Sequence, residues 1–235
     1  MMNELSIMCE KYAEDSNESK YVTDKNTTHS YIDDVYGPAF APLKNKKINL
    51  LEIGVAYGGS ISLFNEYFSN GSIYGIDPFL PDEFTGLWGP KETPYAVSVD
   101  LIKNPPDGIT IIVDDAYQES VANKLPKFDI IIDDGPHTPE SQEQCVKIYL
   151  NRLEESGVLF IEDINVGWEV ETEDLEKQST ISKILSSVPL DEYDYTIHDL
   201  RKNVIGRTHM GTNSDLGRSD NIILEIRHKN DNTVK

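Results

Sequence analysis

The stretch KFDIIIDDGPHTPESQ, residues 127–142, sets the frame for the rest of the chain. Asp129–Ile132 read as a buried strand. The run then stops on Asp133, Asp134, Gly135, Pro136 and His137, which places two carboxylates and an imidazole at one strand tip. A helix is predicted directly after it, over TPESQEQCVKIYLNRL. Thr138 suits the N-cap, Pro139 the first turn, and Glu140 and Ser141 are polar starters.

The same grammar recurs on both sides. INLLEIGV is a short apolar run, too continuous for an exposed sheet, so a buried parallel strand is expected. YGGSISLFNEYF follows with Ile61, Phe64 and Phe68 at helical spacing. SIYGIDPF, GITIIVDD and GVLFIEDI read as further strands. Residues 80–108 form a long connection rich in Pro and Gly, with room for one helix. Residues 172–188 read as a helix, and YDYTIHDL and NIILEIRH as two late strands that pair antiparallel at one edge. Strands alternating with helices imply a doubly wound α/β sheet of Rossmann-like type. Seven strands are expected, mostly parallel with an antiparallel last strand and helices on both faces. Residues 1–20 are polar and acidic and read as a frayed end or a loose first helix. Residues 21–45 mix aromatics with turn formers and read as a helical cap. The expected division is a cap or lid over 1–45 and the sheet domain over 46–235.

Bulk composition narrows the function classes. Of 235 residues 38% are hydrophobic, enough for one α/β domain with decorations. The formal charge of -20, from 41 acidic and 21 basic side chains, opposes binding to phosphate backbones and to anionic membranes. No apolar segment approaches the ~20 residues of a membrane span. Cys9 and Cys145 form neither a metal-spaced cluster nor a disulfide framework, and the first twenty residues lack a secretory pattern. A cytoplasmic, reducing location is expected, without nucleic-acid or membrane partners.

In doubly wound sheets ligands sit outside the carboxyl ends of the strands. Here those ends carry Glu52, Asp77, Asp114 with Asp115, Asp133 with Asp134, and Glu162 with Asp163. A single such Asp is more often a turn or capping residue; five consecutive acidic ends call for a ligand. The turn after the first strand has Gly54 and Gly58, and Asp77 follows about twenty residues on, where a carboxylate can accept from a ribose diol. Val55-Ala56-Tyr57 would crowd a pyrophosphate and Glu52 would repel one. A cofactor with a ribose, no phosphate and a cationic amino-acid tail fits better, which describes S-adenosyl-L-methionine. Asp115 can accept from its adenine amino group. Tyr57, Ser60, Ala116 and Asp133 belong to the same expected cofactor surface.

Asp134, Glu162 and Asp163 converge at two neighbouring tips and would repel one another unless neutralised. Oxygen ligands of this kind suit Mg²⁺, or Mn²⁺ in its place. Such an ion can grip two adjacent substrate hydroxyls and acidify one. His137, three residues after Asp134, is then the expected general base, because an imidazole exchanges protons near neutral pH. The competing reading makes His137 a helix cap and Asp134 an Asx-turn.

LLEIGVAYGGS, IDDGPH and FIEDI, with the earlier TDKNTTHSY, resemble metal-dependent sugar O-methyltransferases of the class I S-adenosylmethionine fold, the macrolide-tailoring enzymes of mycinamicin and tylosin biosynthesis among them. Similar domains methylate rhamnose and other deoxysugars. The resemblance covers roughly residues 21–165, with weaker support to 227, and Pro136 stands where the family has serine. It implies metal binding by Asp134, Glu162 and Asp163, deprotonation of a sugar hydroxyl by His137, and cofactor contacts from Glu52, Gly54, Asp77 and Asp115. It also implies that the TDK…HSY segment lies over the cofactor pocket, which makes Lys25, His29 and Tyr31 lid or site residues. The longer macrolide members carry an extra N-terminal domain used in assembly, so a homo-oligomer stays open.

The acceptor side is less legible. Asn165 and Trp168 follow the acids, and an aromatic face there can stack on a sugar ring. The loop GRTHMGTNSDLGRSD, with Arg207, His209 and Arg218, has the polarity of a substrate cover, or of a plain connection. A catechol or other vicinal diol would satisfy the same metal logic. An NAD-dependent oxidoreductase is disfavoured by the missing G-x-G-x-x-G. A non-catalytic binding module is disfavoured because Asp134, His137, Glu162 and Asp163 are all present.

Overall fold

The computed structural model describes residues 3–13, 18–19, 21–26, 30–79, 100–203 and 219–229. Seven strands form one sheet: β1 (Asn49–Ile53), β2 (Ser72–Ile76), β3 (Ile109–Ile112), β4 (Phe128–Asp133), β5 (Leu153–Ile161), β6 (Tyr193–Asp199) and β7 (Ile222–His228). Their order is β3-β2-β1-β4-β5-β7-β6. Strands β1 to β5 are parallel to one another, and β7 inserts antiparallel between β5 and β6. The chain therefore winds outward in one direction from β1 and in the other from β4. The switch point lies between those two strands, where a doubly wound sheet opens a crevice.

Helices α1 (Glu4–Cys9), α2 (Gly37–Phe40), α3 (Gly59–Tyr67), α4 (Glu119–Ala122), α5 (Pro139–Tyr149) and α6 (Ser179–Leu185) cover the sheet. The α5 start behaves as its residues dictate: the Thr138 side chain accepts from the Ser141 amide, and Ser141 returns a bond to the Thr138 backbone. Period-two alternation sorts the two cores. Leu50, Ile130, Ile132, Val158 and Phe160 face one side, and Leu51, Ile53, Ile131, Leu159 and Ile161 the other, against α5 and α6.

The first side is closed by the N-terminal segment. Leu5, Cys9, Tyr12, Tyr31, Ile32, Val35, Tyr36 and Phe40 all enter that core. Instead of fraying, residues 3–13 are anchored: α1 is capped by Asn3, and Leu5 and Cys9 are buried. The polar character of 1–20 hides a three-to-four spacing of Leu5, Met8 and Cys9, too short to stand out. Tyr36 stacks on Phe40 at 5.1 Å and meets Phe160 edge-on at 5.1 Å, contacts worth about 0.5–1.5 kcal/mol each beyond area burial.

The helix expected over 172–188 is two elements, a 3₁₀ helix at Thr172–Lys177 and then α6. They separate because Gln178 is extended between them. Strand β5 starts earlier than GVLFIEDI, at Leu153, and its register against β4 shifts between the Phe128–Leu153 and Ile130–Val158 pairs. Both cysteines are buried and free. Among the described residues no helix is long and apolar enough to cross a membrane.

Candidate active site

At the switch point the ladder runs on past the strand ends. The Gly54 amide donates to Ile76 O at 2.9 Å, Asp134 N to Ile53 O at 2.9 Å, and Glu162 N to Asp133 O at 3.0 Å. Four tips are thereby fixed side by side. Gly54 has φ +84°, and a Cβ there would collide with the Asp134 carbonyl oxygen. Its close approach is to the neighbouring strand tip as well as to the crevice. Gly59 is needed for a different reason, since a Cβ would strike the Val22 carbonyl, so the N-terminal strap of residues 21–26 can pass only over glycine.

A cavity of about 520 Å³ opens here, a nucleoside-sized volume. Its walls come from the β1 turn (Gly54, Val55, Ala56, Tyr57, Ser60), the β2 tip (Asp77), the β3 tip (Asp115, Ala116, Tyr117), the β4 tip (Asp134 to His137) and Asp163. Val22, Thr23 and Asp24 of the strap and Asp220 complete them. Among the described residues six aspartates line it, and no lysine or arginine does. Three lining residues other than glycine hold positive φ, Ala56 (44°), His137 (56°) and Asp163 (53°), and such backbone strain clusters at functional sites.

Asp77 is committed to backbone. One carboxylate oxygen accepts from Val55 N at 2.8 Å and Ala56 N at 3.1 Å, the other from Phe79 N at 2.6 Å. It therefore shapes the β1 turn in addition to facing the cavity. Asp115 is exposed and accepts from Tyr117 N and Gln118 Nε2, both at 2.9 Å. Asp133 turns to the opposite face, where it accepts from the Tyr117 hydroxyl at 2.6 Å; burial pushes its carboxyl up to about 6. Glu52 is fully buried behind the cavity wall, and neither oxygen accepts a hydrogen bond. Burial pushes its carboxyl up to about 7, against the pull of the Lys25 ammonium 3.8 Å away. Gly58 starts α3 and, like Glu52, does not line the cavity.

Lys25 is the residue whose position is least expected. It is 1% exposed, and its Nζ lies 2.7 Å from Asp134 Oδ2 and 2.7 and 2.8 Å from the two Glu162 oxygens. Burial alone would lower its pKa, but Asp134, Glu162 and Glu52 raise it well above the ordinary lysine value, so it stays an ammonium. Burial likewise drives Glu162 up, opposed by Lys25. The Tyr36 hydroxyl also donates to Glu162, and the Tyr31 hydroxyl to Asp163. His137 Nε2 sits between the two remaining oxygens, 3.6 Å from Asp134 Oδ1 and 3.7 Å from Asp163 Oδ2. Asp134, His137 and Asp163 each offer a donor atom within 4.8 Å of the others.

The structure therefore brings together Asp134, His137, Asp163 and Glu162, and separately Gly54, Tyr57, Ser60, Asp77, Asp115 and Ala116 around the cavity. It turns Glu52, Asp133 and Tyr31 away from that lining. His29, Arg207, His209 and Arg218 lie outside the described residues. Trp168 is 49% exposed, on a loop fixed by Arg201, whose guanidinium donates to Gly167 O at 2.6 Å and Val170 O at 2.8 Å. Thr23 and Asp24 belong to the TDK…HSY segment expected over the pocket, whereas Asp220 was not foreseen as a lining residue.

A family model described as a methyltransferase domain matches residues 51–164, from β1 to the tip of β5. Among curated proteins the chain is similar to 8-demethyl-8-(2-methoxy-alpha-L-rhamnosyl)-tetracenomycin-C 3'-O-methyltransferase of Streptomyces olivaceus, 25% identical over 153 residues, which cover 62% of this chain and 35% of that protein. It is also similar to demethylmacrocin O-methyltransferase of Streptomyces fradiae, 27% identical over 165 residues, which cover 66% of this chain and 38% of that protein. The matches thus span little more than a third of each relative. Among solved structures, the MycE methyltransferase from the mycinamycin biosynthetic pathway, in complex with Mg and SAH, superposes with a TM-score of 0.58 at 19% identity, over 100% of this chain and 57% of that one. The fold is shared, and the curated relatives include O-methyltransferases of the kind that LLEIGVAYGGS, IDDGPH and FIEDI resemble.

Proposed function

We propose that this chain is an S-adenosylmethionine-dependent O-methyltransferase that moves a methyl group to a sugar hydroxyl of a glycoside or glycan, with a divalent cation, Mg²⁺ or Mn²⁺, at Asp134, Glu162 and Asp163. The observation that carries the proposal is the cavity wall, in which the described residues supply six aspartates and neither lysine nor arginine. Such a wall attracts a cationic nucleoside and repels a pyrophosphate, which favours a sulfonium donor over NAD. The rhamnosyl and macrolide O-methyltransferases similar to this chain, and the Mg and SAH held by MycE, support the acceptor class and the cofactors.

The residues fit both groups. Asp77 holds the β1 turn so that Gly54, Tyr57 and Ser60 line the nucleoside space, and Asp115 offers its carboxylate at the rim. The acid cluster at the strand tips has three carboxyl groups, Asp134, Glu162 and Asp163, against one ammonium, which leaves room for a hard cation. When bound, the sulfonium supplies the methyl group and the metal the polarisation of a substrate hydroxyl. His137 Nε2, bracketed by Asp134 and Asp163, takes the hydroxyl proton. The strap residues Val22, Thr23 and Asp24 exclude water from one side and hold the cofactor aligned, and alignment is the main demand of direct methyl transfer.

Calorimetry with S-adenosylhomocysteine and with NAD tests the cofactor. Micromolar binding of the former alone is expected, and the reverse result would sink the proposal. Labelled-methyl transfer to a glycoside panel should stop with EDTA. His137→Ala should lower the chemical step by about 10²–10⁴-fold, and an unchanged acidic limb in the pH–rate profile would remove His137 as base.

A further inference from the structure

Among the described Trp, Tyr and Phe residues, Trp168 alone is exposed. Its loop is nonetheless firmly held. Arg201 is 3% exposed, and the two carbonyls that its guanidinium meets, Gly167 O and Val170 O, flank the ring along the chain. Asp199 fixes the guanidinium in turn, accepting from Nε at 2.8 Å and from Nη2 at 2.7 Å. Val166 and Val170 pack on the core below, which leaves Trp168 on the outer side of the loop. A buried arginine turned on the loop backbone keeps that ring in place before any ligand arrives, and such pre-organisation lowers the cost of binding.

The topology sets where the loop lies. Ile164 N donates to Ile222 O at 3.1 Å, so the chain leaves the β5 tip across the start of β7, and Leu200 N donates to Asn221 O at 2.9 Å, which ties the end of β6 to the same place. The loop therefore runs over the β5-β7-β6 half of the sheet edge, next to Asp163 and Asp220 of the cavity wall. Gly54, Tyr57, Asp77 and Asp115 line the cavity over the other half, at β1 to β3. Direct methyl transfer needs the acceptor oxygen in line with the sulfur, on the far side of the methyl group. With the nucleoside space over β1 to β3 and His137 and Asp163 beyond it, that far side is the half that carries Trp168.

We infer that Trp168 is the acceptor-binding platform of this site, and that a pyranose ring stacks its apolar C–H face on the indole. The inference rests on the proposed function. The electron-rich face of an indole attracts C–H groups polarised by neighbouring oxygens. Asn165 and Glu169, both exposed beside Trp168, supply an amide and a carboxylate that can meet the ring hydroxyls. Arg201 is the positioning residue behind the platform.

The full chain, assayed with S-adenosylmethionine and Mg²⁺ against a panel of methyl pyranosides, tests this. For the best acceptor, Trp168→Ala should raise KM by about tenfold with kcat within about threefold of the wild type. Trp168→Phe should recover part of the loss, because a smaller aromatic face remains. Calorimetry should show S-adenosylhomocysteine bound equally by both variants, which a general loosening of the site would not allow. The chain has two tryptophans, Trp88 and Trp168. In Trp88→Phe the indole emission reports Trp168 alone, and the methyl pyranoside should shift it with a midpoint near its KM. A KM that Trp168→Ala changes by less than about threefold, in a chain that still methylates the pyranoside, would overturn the inference and leave the proposed function standing. An emission that the pyranoside leaves unchanged would do the same. A wild type that transfers no methyl group to any pyranoside overturns the proposed function and this inference together.

Discussion

Asp77 at the tip of β2 and Glu162 just beyond β5 are both buried acids at strand ends, and the fold satisfies them in opposite ways. Asp77 receives three backbone amides, from Val55, Ala56 and Phe79, all supplied by neighbouring turns of the sheet itself. Glu162 receives a lysine and a tyrosine that arrive from 137 and 126 residues away in the chain. The first arrangement is complete once β1 and β2 pair. The second exists only when the N-terminal segment has docked. One side of the site is therefore pre-organised by local geometry, and the other is assembled by tertiary packing.

The largest consequence falls on the assembled side. Lys25→Met leaves Asp134 and Glu162 buried without their cation, and removal of one partner from a buried charge cluster costs about 3–5 kcal/mol. Urea unfolding should show that loss. A cost below about 1 kcal/mol would mean that the strap is not docked in solution. Asp77→Ala should cost somewhat less, about 2–3 kcal/mol for the orphaned amides, but it should weaken S-adenosylhomocysteine because the β1 turn relaxes. If calorimetry shows unchanged affinity after Asp77→Ala, the turn does not depend on its carboxylate.

How far the site was legible follows the same division. The strands, the acidic tips, the glycine turn and the Thr138 cap are written in neighbouring residues, through alternation, spacing and capping chemistry. Alternation carried one more message. In β1, Glu52 falls on the face of Leu50, and Glu162 continues the face of Phe160, as Asp134 does that of Ile132. That face is the one covered by the N-terminal aromatics, so period two alone places Glu52 and Glu162 under the strap. Asp133 falls on the other face with Ile131, beside Tyr117. Lys25 could not be placed in this way. The resemblance located its segment over the pocket, but its acids lie 109 and 137 residues on, and no local pattern marks a lysine that will be buried.

Glu52 offers a measurement of smaller effect that separates burial from pairing. Its carboxyl is raised to about 7 in the folded chain, so the native state holds a proton there that the unfolded chain has given up. Its contribution to stability is then present at acidic pH and is lost as pH rises through about 7. Glu52→Gln cannot lose a proton. The stability of the variant relative to the wild type should therefore rise between pH 5 and pH 8, by on the order of 2 kcal/mol. Taking the difference cancels Asp133, which titrates in both. A difference that stays flat across that range would mean that Lys25 pairs with Glu52 closely enough to keep it ionised throughout.

The smallest effects distinguish the two tyrosines. Tyr36→Phe and Tyr31→Phe each delete one hydroxyl donated to a carboxylate, a loss of about 1–2 kcal/mol apiece. Stability alone would not tell them apart. Their acids differ in what else they face, however: Glu162 is enclosed by Lys25, while Asp163 also presents an oxygen to His137 and lines the cavity. Tyr31→Phe should therefore alter methyl transfer through a freed Asp163, lowering kcat more than KM changes. Tyr36→Phe should lower Tm with kcat nearly unchanged, because Lys25 still holds Glu162. Equal losses of kcat in the two variants would mean that Lys25 alone does not hold Glu162 in place, and the division between an acid that faces the crevice and an acid enclosed by the strap would fall.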